Sequence, residues 1–404
     1  MRIVFLMPTY YPDSFGGAER QTRILARSLR DRGAAITILT PTLQAQAAGI
    51  DDQPEGRVVR LPMRSDPALG GRYVFSMLHF WLRAFLWLAR HRRSYDVIAI
   101  QHLRLHAWPG LVAGRLFRKL LSAKLGRGGA HMELRRLPAQ KLPFGKLVVA
   151  LARRSRLVFV ANSNAIAGDL ATLGIPLDRV ARVPNGVECP LEPRAAYRAQ
   201  DGACVFVYAG RLAKEKRVDR LIEAFRVFSA DRPATLRIFG AGPEKKRLVE
   251  QAAGLPAVQF MGVTDDRDAI YEGAAFMILP SDSEGMSNTL LEAMAYGAVP
   301  VITDVSGVGD LVVPGQSGVI LAANTCDAIL EGLATAVALD PAQWAAMSAE
   351  ARQRVCEKHA IEVVAEAYLD LYRGMADDRL NRAPPARGRG VGSAEAGVAA
   401  HAGP

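Results

Sequence analysis

The side chains best placed to do chemistry lie in the second half of the chain. In YAGRLAKEKRVDRLIEAF, Arg211 follows a glycine that closes an apolar run, and Lys216 stands five residues on. A guanidinium and an ammonium at a strand end are what a departing diphosphate requires, because they offset charge that grows as a bond to it breaks. Farther on, SDSEGMSNTLLEAMAYGAVPV (281–301) sets Glu284 beside a glycine and Glu292 inside an apolar run. Ser287 or Asn288 can cap a helix there, and Gly297 stops it. The turn ahead of it leaves backbone N–H groups unpaired at a positive helix end, which makes an anion site. Eight residues of helix rise about 12 Å and make slightly more than two turns, so both glutamates should share one side. That span matches the distance from sugar to ribose in a nucleotide-diphosphate sugar, and each carboxylate can accept two hydroxyl hydrogen bonds. A glutamate before a helix is ordinarily a cap, and one inside a helix ordinarily faces water. Glu292, however, stands between Leu291 and Ala293 in a segment that reads as buried, and a buried carboxylate needs partners.

The elements that must position these groups follow a repeated pattern. RIVFLMP reads as a buried first strand, followed by a glycine turn and a helix through AERQTRILARSLRDRG that Gly33 closes. AITILTP, YDVIAIQH, KLLSAKLG and RLVFVANS read as later strands. The turn-rich segment around 189–202 reads as a linker, after which CVFVYAGRL, ATLRIFGAGP, AVQFMG, AAFMILP, AVPVITDV and SGVILAA restart the pattern. Continuous apolar strands separated by helices imply α/β architecture, with two doubly wound parallel sheets and a cleft at their carboxyl ends. The expected units are 1–188, 203–358, a helix at 359–375 that packs back on the first unit, and a disordered tail at 376–404.

Composition narrows the reading further. The 404 residues are too many for one ordinary core. The net charge of +11 is unevenly distributed: residues 1–190 hold 29 Lys and Arg against 12 acids, and residues 191–404 hold 22 against 28. Cys189, Cys204, Cys326 and Cys356 show no metal-ligand spacing and read as small buried residues of a reducing compartment. No secretory signal is visible, and the apolar stretch 73–89, broken by His79 and Arg83, is shorter than the ~20 residues a spanning helix needs. No nucleic-acid module accompanies the positive charge.

Taken together, GRLAKEKRVDRLIEAF, SDSEGMSNTLLEAMAYGAVPV and VPNGVE resemble the retaining nucleotide-sugar glycosyltransferases of sequence family 4, with the GT-B fold of two Rossmann-like domains. The resemblance covers roughly residues 1–375 and is most specific in the second unit. It implies that Arg211 and Lys216 bind the donor diphosphate, that Glu284 contacts the transferred sugar and that Glu292 holds the ribose. Gly285, Met286, Ser287 and Asn288 would line sugar and phosphate with backbone amides, and Gly16 and Gly17 of FGGAERQ would let the first unit approach the diphosphate. Two places depart from the family. Its lysine-glycine pair reads Lys216-Arg217 here, and the loop where many members carry a histidine offers Lys124, Gly126 or Arg127. His131 lies farther on and His102 ends the previous strand, so no catalytic histidine is assigned.

The implied reaction is a metal-independent front-face transfer of a hexosyl group to a glycan or lipid-linked acceptor, in cell-envelope or exopolysaccharide synthesis. The nucleotide sugar is a substrate, and no cofactor is expected. Asp266-Arg267-Asp268 has the spacing of a metal motif but precedes a helix, where acids serve as caps. The aromatic and arginine-rich segments 73–93 and 135–156 suit a membrane interface, so a cytoplasmic enzyme at the inner face of an anionic membrane is expected. The alternatives are a GT-B epimerase or hydrolase that acts on the donor alone, and a non-catalytic sugar-nucleotide binder.

Overall fold

The computed structural model describes residues 1–63, 72–139, 144–197, 202–284, 286–305 and 307–381. Its strands assemble into two sheets. The first holds β1 (Arg2–Leu6), β2 (Ala35–Thr42), β3 (Gly49–Gln53), β4 (Gly56–Pro62), β5 (Val97–Gln101), β6 (Leu120–Leu125), β7 (Leu157–Ala161) and β8 (Val180–Arg182). Their order is β3-β4-β2-β1-β5-β6-β7-β8. Helices α1 (Gly17–Asp31), α2 (Arg72–Arg90), α3 (Trp108–Leu116), α4 (Glu133–Arg136), α5 (Phe144–Arg154) and α6 (Asn164–Thr172) connect them. Every pair is parallel except β3 with β4. This antiparallel edge hairpin departs from the all-parallel expectation. Its residues, GIDDQPEG, are too polar to announce a strand, and β3 is mostly exposed. Gly56 makes the hairpin possible: it has φ +133°, and a Cβ there would lie 2.6 Å from the Ile36 carbonyl oxygen.

The second sheet holds β9 (Cys204–Ala209), β10 (Ala234–Phe239), β11 (Val258–Gly262), β12 (Phe276–Leu279), β13 (Val299–Thr303) and β14 (Val319–Leu321). The intervening helices are α7 (Val218–Phe228), α8 (Lys245–Gln251), α9 (Arg267–Tyr271) and α10 (Asn288–Tyr296), and α11 (Cys326–Val337) follows β14. All pairs are parallel, in the order β11-β10-β9-β12-β13-β14. Counted from β9 this is 3-2-1-4-5-6, the Rossmann order, and its direction reverses between β9 and β12. Every residue of β9 and β12 is buried, as expected of strands covered on both faces.

Two long helices end the described chain, α12 (Pro341–His359) and α13 (Ile361–Asn381). A capping box between Asp340 and Gln343 starts α12. α13 then crosses to the first sheet, where the Tyr372 hydroxyl meets Ser122 Oγ of β6 at 3.1 Å. Its buried face, including Val364, Tyr368 and Leu369, joins the core formed by α1, β1 and β2. The helix continues to Asn381, past the tail start expected at 376. Residues 382–404 of that tail, and 198–201 of the linker, lie outside the described residues.

The cysteines also require correction. Cys189 and Cys356 form a disulfide with Cα atoms 6.0 Å apart, fastening the segment after β8 to α12. A pairing across 167 residues leaves no local spacing pattern to read.

Candidate active site

In open α/β sheets, ligands bind outside the carboxyl ends of the strands where the strand order reverses. In the second sheet that place lies between the loops after β9 and β12. Lys216 ends a short 3-10 turn after β9, and Glu284 lies in the loop after β12. Lys216 Nζ donates to Glu284 Oε1 at 2.5 Å. Ser281 Oγ, fully buried, donates to the same oxygen at 2.8 Å. Arg211, at the end of β9, is exposed and its guanidinium has no partner among the described residues, while its carbonyl accepts from the Tyr208 hydroxyl at 3.0 Å. A cation and a carboxylate thus meet at the reversal point of the second sheet, and Arg211 follows the strand beside them in sequence.

The glutamates do not share one helix. Ser287 caps α10, its Oγ accepting from Leu290 N, so the helix begins at Asn288 and Glu284 belongs to the loop before it. The helical rise expected to separate the pair therefore does not apply. Glu292 lies within α10 and is 5% exposed. Its Oε1 stands 3.1 Å from Arg20 Nε and its Oε2 3.3 Å from Arg267 Nε. Burial pushes its carboxyl up to about 7, against the pull of Arg20. Arg20 belongs to α1 of the first sheet, so this ion pair crosses between the units. Neither arginine was singled out from the sequence. Arg20 is three residues past Gly17 in GGAER, and Arg267 is the middle residue of the Asp-Arg-Asp motif. In that motif Asp266 caps α9 through Ala269 N, as its position before a helix implies.

The rest of the expected lining is held by bonds between the units. Asn288 Nδ2 donates to the Gly17 carbonyl at 3.0 Å. A Cβ on Gly17 would lie 2.7 Å from that nitrogen, so the bare backbone is what lets α1 and α10 approach. Gly16 caps α1, and a Cβ there would meet Glu19 Oε2 at 2.6 Å. Asn185, from the VPNGVE segment, donates to Asn288 Oδ1 at 2.7 Å and to the Met286 carbonyl at 3.3 Å. Gln21 of α1 exchanges two hydrogen bonds with the backbone of Gly186. Gly285 lies outside the described residues.

Arg217, standing where the family has glycine, adopts a left-handed conformation with φ +52°. Its Nε donates to Asp282 Oδ1 at 2.8 Å, and Asp282 also accepts from Asn324. Such a backbone costs a non-glycine residue about 1 kcal/mol, which the ion pair helps to offset.

In the first sheet the order reverses between β1 and β5. Gly16 and Gly17 follow β1, and His102 follows β5. His102 Nδ1 lies 3.3 Å from Glu133 Oε1. A Cβ on Gly126 would fall 2.1 Å from His102 Cε1. The imidazole from the neighbouring strand thus lies against the end of β6, near the loop left without a histidine. His131 is exposed in a 3-10 turn.

Two Rossmann-like sheets with a charge-lined crevice between their reversal points define the GT-B class. Comparison with known proteins agrees: residues 15–190 match the model of Glycosyltransferase Family 4 and residues 203–338 that of Glycosyl transferases group 1. The chain belongs to the family 4 glycosyltransferases. It is 33% identical to a glycogen synthase of Mycobacterium tuberculosis over 223 residues, which are 53% of this chain and 52% of that protein. The match therefore spans about half the length of that relative. An alpha-maltose-1-phosphate synthase of Mycolicibacterium smegmatis is 24% identical over 92% of this chain and 99% of its own. Anabaena HepE, solved with UDP and glucose, superposes with a TM-score of 0.71 at 18% identity, covering 93% of this chain and all of that one.

Proposed function

We propose that this chain is a retaining, metal-independent hexosyltransferase acting on a nucleotide-diphosphate sugar. The observation that carries the reading is the Lys216–Glu284 pair at the reversal point of the second sheet, with an exposed Arg211 following β9. The HepE complex with UDP and glucose supports a nucleotide-sugar donor.

On this reading each existing pair marks a ligand position. Lys216 turns from Glu284 toward the diphosphate, leaving Glu284 to accept hydroxyl hydrogen bonds of the sugar. Glu292 takes the ribose hydroxyls, while Arg20 and Arg267 keep its charge compensated. The bond between the anomeric carbon and the phosphate oxygen breaks, and the acceptor oxygen bonds to that carbon from the same face. A leaving-phosphate oxygen takes the acceptor's proton. Arg211 and Lys216 stabilise the negative charge that builds on the diphosphate, and binding in the cleft supplies orientation. The acceptor is a glycan or a lipid-linked glycan of the cell envelope or an exopolysaccharide, bound on the first unit.

The test is turnover of a panel of nucleotide sugars by the purified chain, with and without glycan acceptors and with a chelator. The expected result is a lengthened glycan of unchanged anomeric configuration, formed equally well in chelator. Release of free or epimerised sugar alone would assign a hydrolase or epimerase, and binding without turnover a non-catalytic protein.

A further inference from the structure

One surface of the first unit takes no part in the cleft. Helix α2 buries Met77, Phe80, Trp81, Ala84 and Leu88 against the sheet and α3. At 100° per residue these side chains cluster on one side. On the opposite side Phe75, Leu78, Leu82 and Leu86 form a stripe within a single arc, exposed by 75%, 39%, 58% and 55%. His79, Arg83 and Arg90 are exposed along one flank of the stripe. A helix that is apolar on both sides but belongs to a folded unit has a second apolar environment to meet. Leu147 on α5 is exposed as well, and Phe144 at the start of that helix contacts Trp81 of α2 edge-on.

Charge selects the occupant. Between residues 72 and 168 the chain holds eighteen Lys and Arg against two acids, Asp96 and Glu133. Both acids are engaged: Asp96 pairs with Arg2, and Glu133 is buried beside His102. A second copy of this face would bring like charges together, whereas an anionic bilayer supplies the opposite charge and hydrocarbon together. Among the described residues no helix is long and apolar enough to cross a membrane, which leaves α2 to lie along its surface. The nineteen residues of α2 would cover about 28 Å of it. α2 also enters from the carboxyl edge of the sheet, after β4, which is the edge where the cleft opens.

We infer that the outer stripe of α2 docks this protein on anionic lipid, with Phe75, Leu78, Leu82 and Leu86 entering the interface and Arg83 and Arg90 meeting headgroups. This deepens the acceptor reading above by bringing the cleft to a lipid-borne glycan, but the surface chemistry does not depend on the transferase assignment.

The experiment is co-sedimentation of the full chain with vesicles of phosphatidylcholine alone or with about 30 mol% phosphatidylglycerol, an anionic content sufficient to attract basic segments. Wild type should sediment with the anionic vesicles and at least tenfold less with the neutral ones. Leu82→Glu/Leu86→Glu should lose at least tenfold of that binding, and Arg83→Gln/Arg90→Gln several-fold. Both variants should keep the wild-type melting temperature and donor turnover on a soluble acceptor. The inference is overturned if wild type ignores anionic vesicles, or if the Leu82/Leu86 variant still sediments with them. It is also overturned if that variant halves the mass in solution, which would give the face to a second copy. Because donor turnover is read separately, a failed transferase assignment would not be mistaken for a failed docking surface.

Discussion

The carboxyl edges of the two sheets differ in how completely their buried charges are paired. In the second sheet Glu292 is enclosed yet lies between Arg20 and Arg267, and Glu284 is bonded to Lys216 and Ser281. In the first sheet Lys124, at the end of β6, is 8% exposed, and its ammonium has no hydrogen bond or ion pair among the described residues. Burial alone pulls Lys124 down to about 8. His106 nearby in sequence is also buried, and desolvation lowers it to about 3. Paired charges can be exchanged for ligand groups of the same sign without exposing an uncompensated ion. A lysine side chain this enclosed, without a pair among the described residues, weakens the fold. The crevice edge of the second sheet is thus a set of preformed charge pairs, and that of the first carries a lysine without one among the described residues.

The largest effect should come from breaking the Lys216–Glu284 pair. Lys216→Ala should lower kcat by about 10²–10³, the cost of removing one group that stabilises transition-state charge, with an unchanged circular dichroism spectrum. Full activity in that variant would leave the comparison without a functional side.

Replacing the lone cation should do the reverse. Lys124→Met should raise stability by up to roughly 3 kcal/mol, the cost of lowering a lysine from its ordinary value to about 8 at about 1.4 kcal/mol per pH unit. The sign follows from linkage. The Lys124 pKa is lowered on folding, so the unfolded chain holds more protons between about pH 8 and its ordinary value near 10.5. The wild-type penalty is complete below pH 8 and fades as pH rises through that window. Denaturant melts at pH 7 and pH 10 should show the gap between variant and wild type shrinking; a constant gap would mean that Lys124 is not the titrating group.

Smaller again is the effect expected at Glu292. On the proposed reading the Glu292 carboxylate holds the ribose hydroxyls, and burial raises that carboxyl to about 7. Donor KM should therefore rise as pH falls through 7, whereas Glu292→Gln should show a KM raised about tenfold without that break. A break that persists in the variant would move the titration to another group. The smallest effect belongs to Arg217→Gly, which relieves a left-handed arginine but removes the pair with Asp282. The two changes are each worth about 1 kcal/mol and oppose one another, so steady-state rates should change by less than about threefold.

The architecture was legible because its strands are continuous apolar runs: β9, CVFVYA, is buried at every residue. The hairpin of β3 and β4 escaped because GIDDQPEG looks like a loop until its neighbours supply the pairing. Lys216, Glu284 and Glu292 drew attention because charges stand out beside apolar runs. Arg20 and Arg267 did not, because an arginine on a polar helix face ordinarily meets solvent.

Local chemistry was thus set by the chain itself: strand and helix periods, the Ser287 cap, the Gly297 stop, and the kinds of charge available near the cleft. The partners were decided by tertiary structure. Glu292 meets Arg20 across a separation of 272 positions, and Cys189 meets Cys356 across 167. Such distances close only when strand order and the packing of one unit on the other are established, because they depend on burial summed over two cores and not on the residues that finally touch.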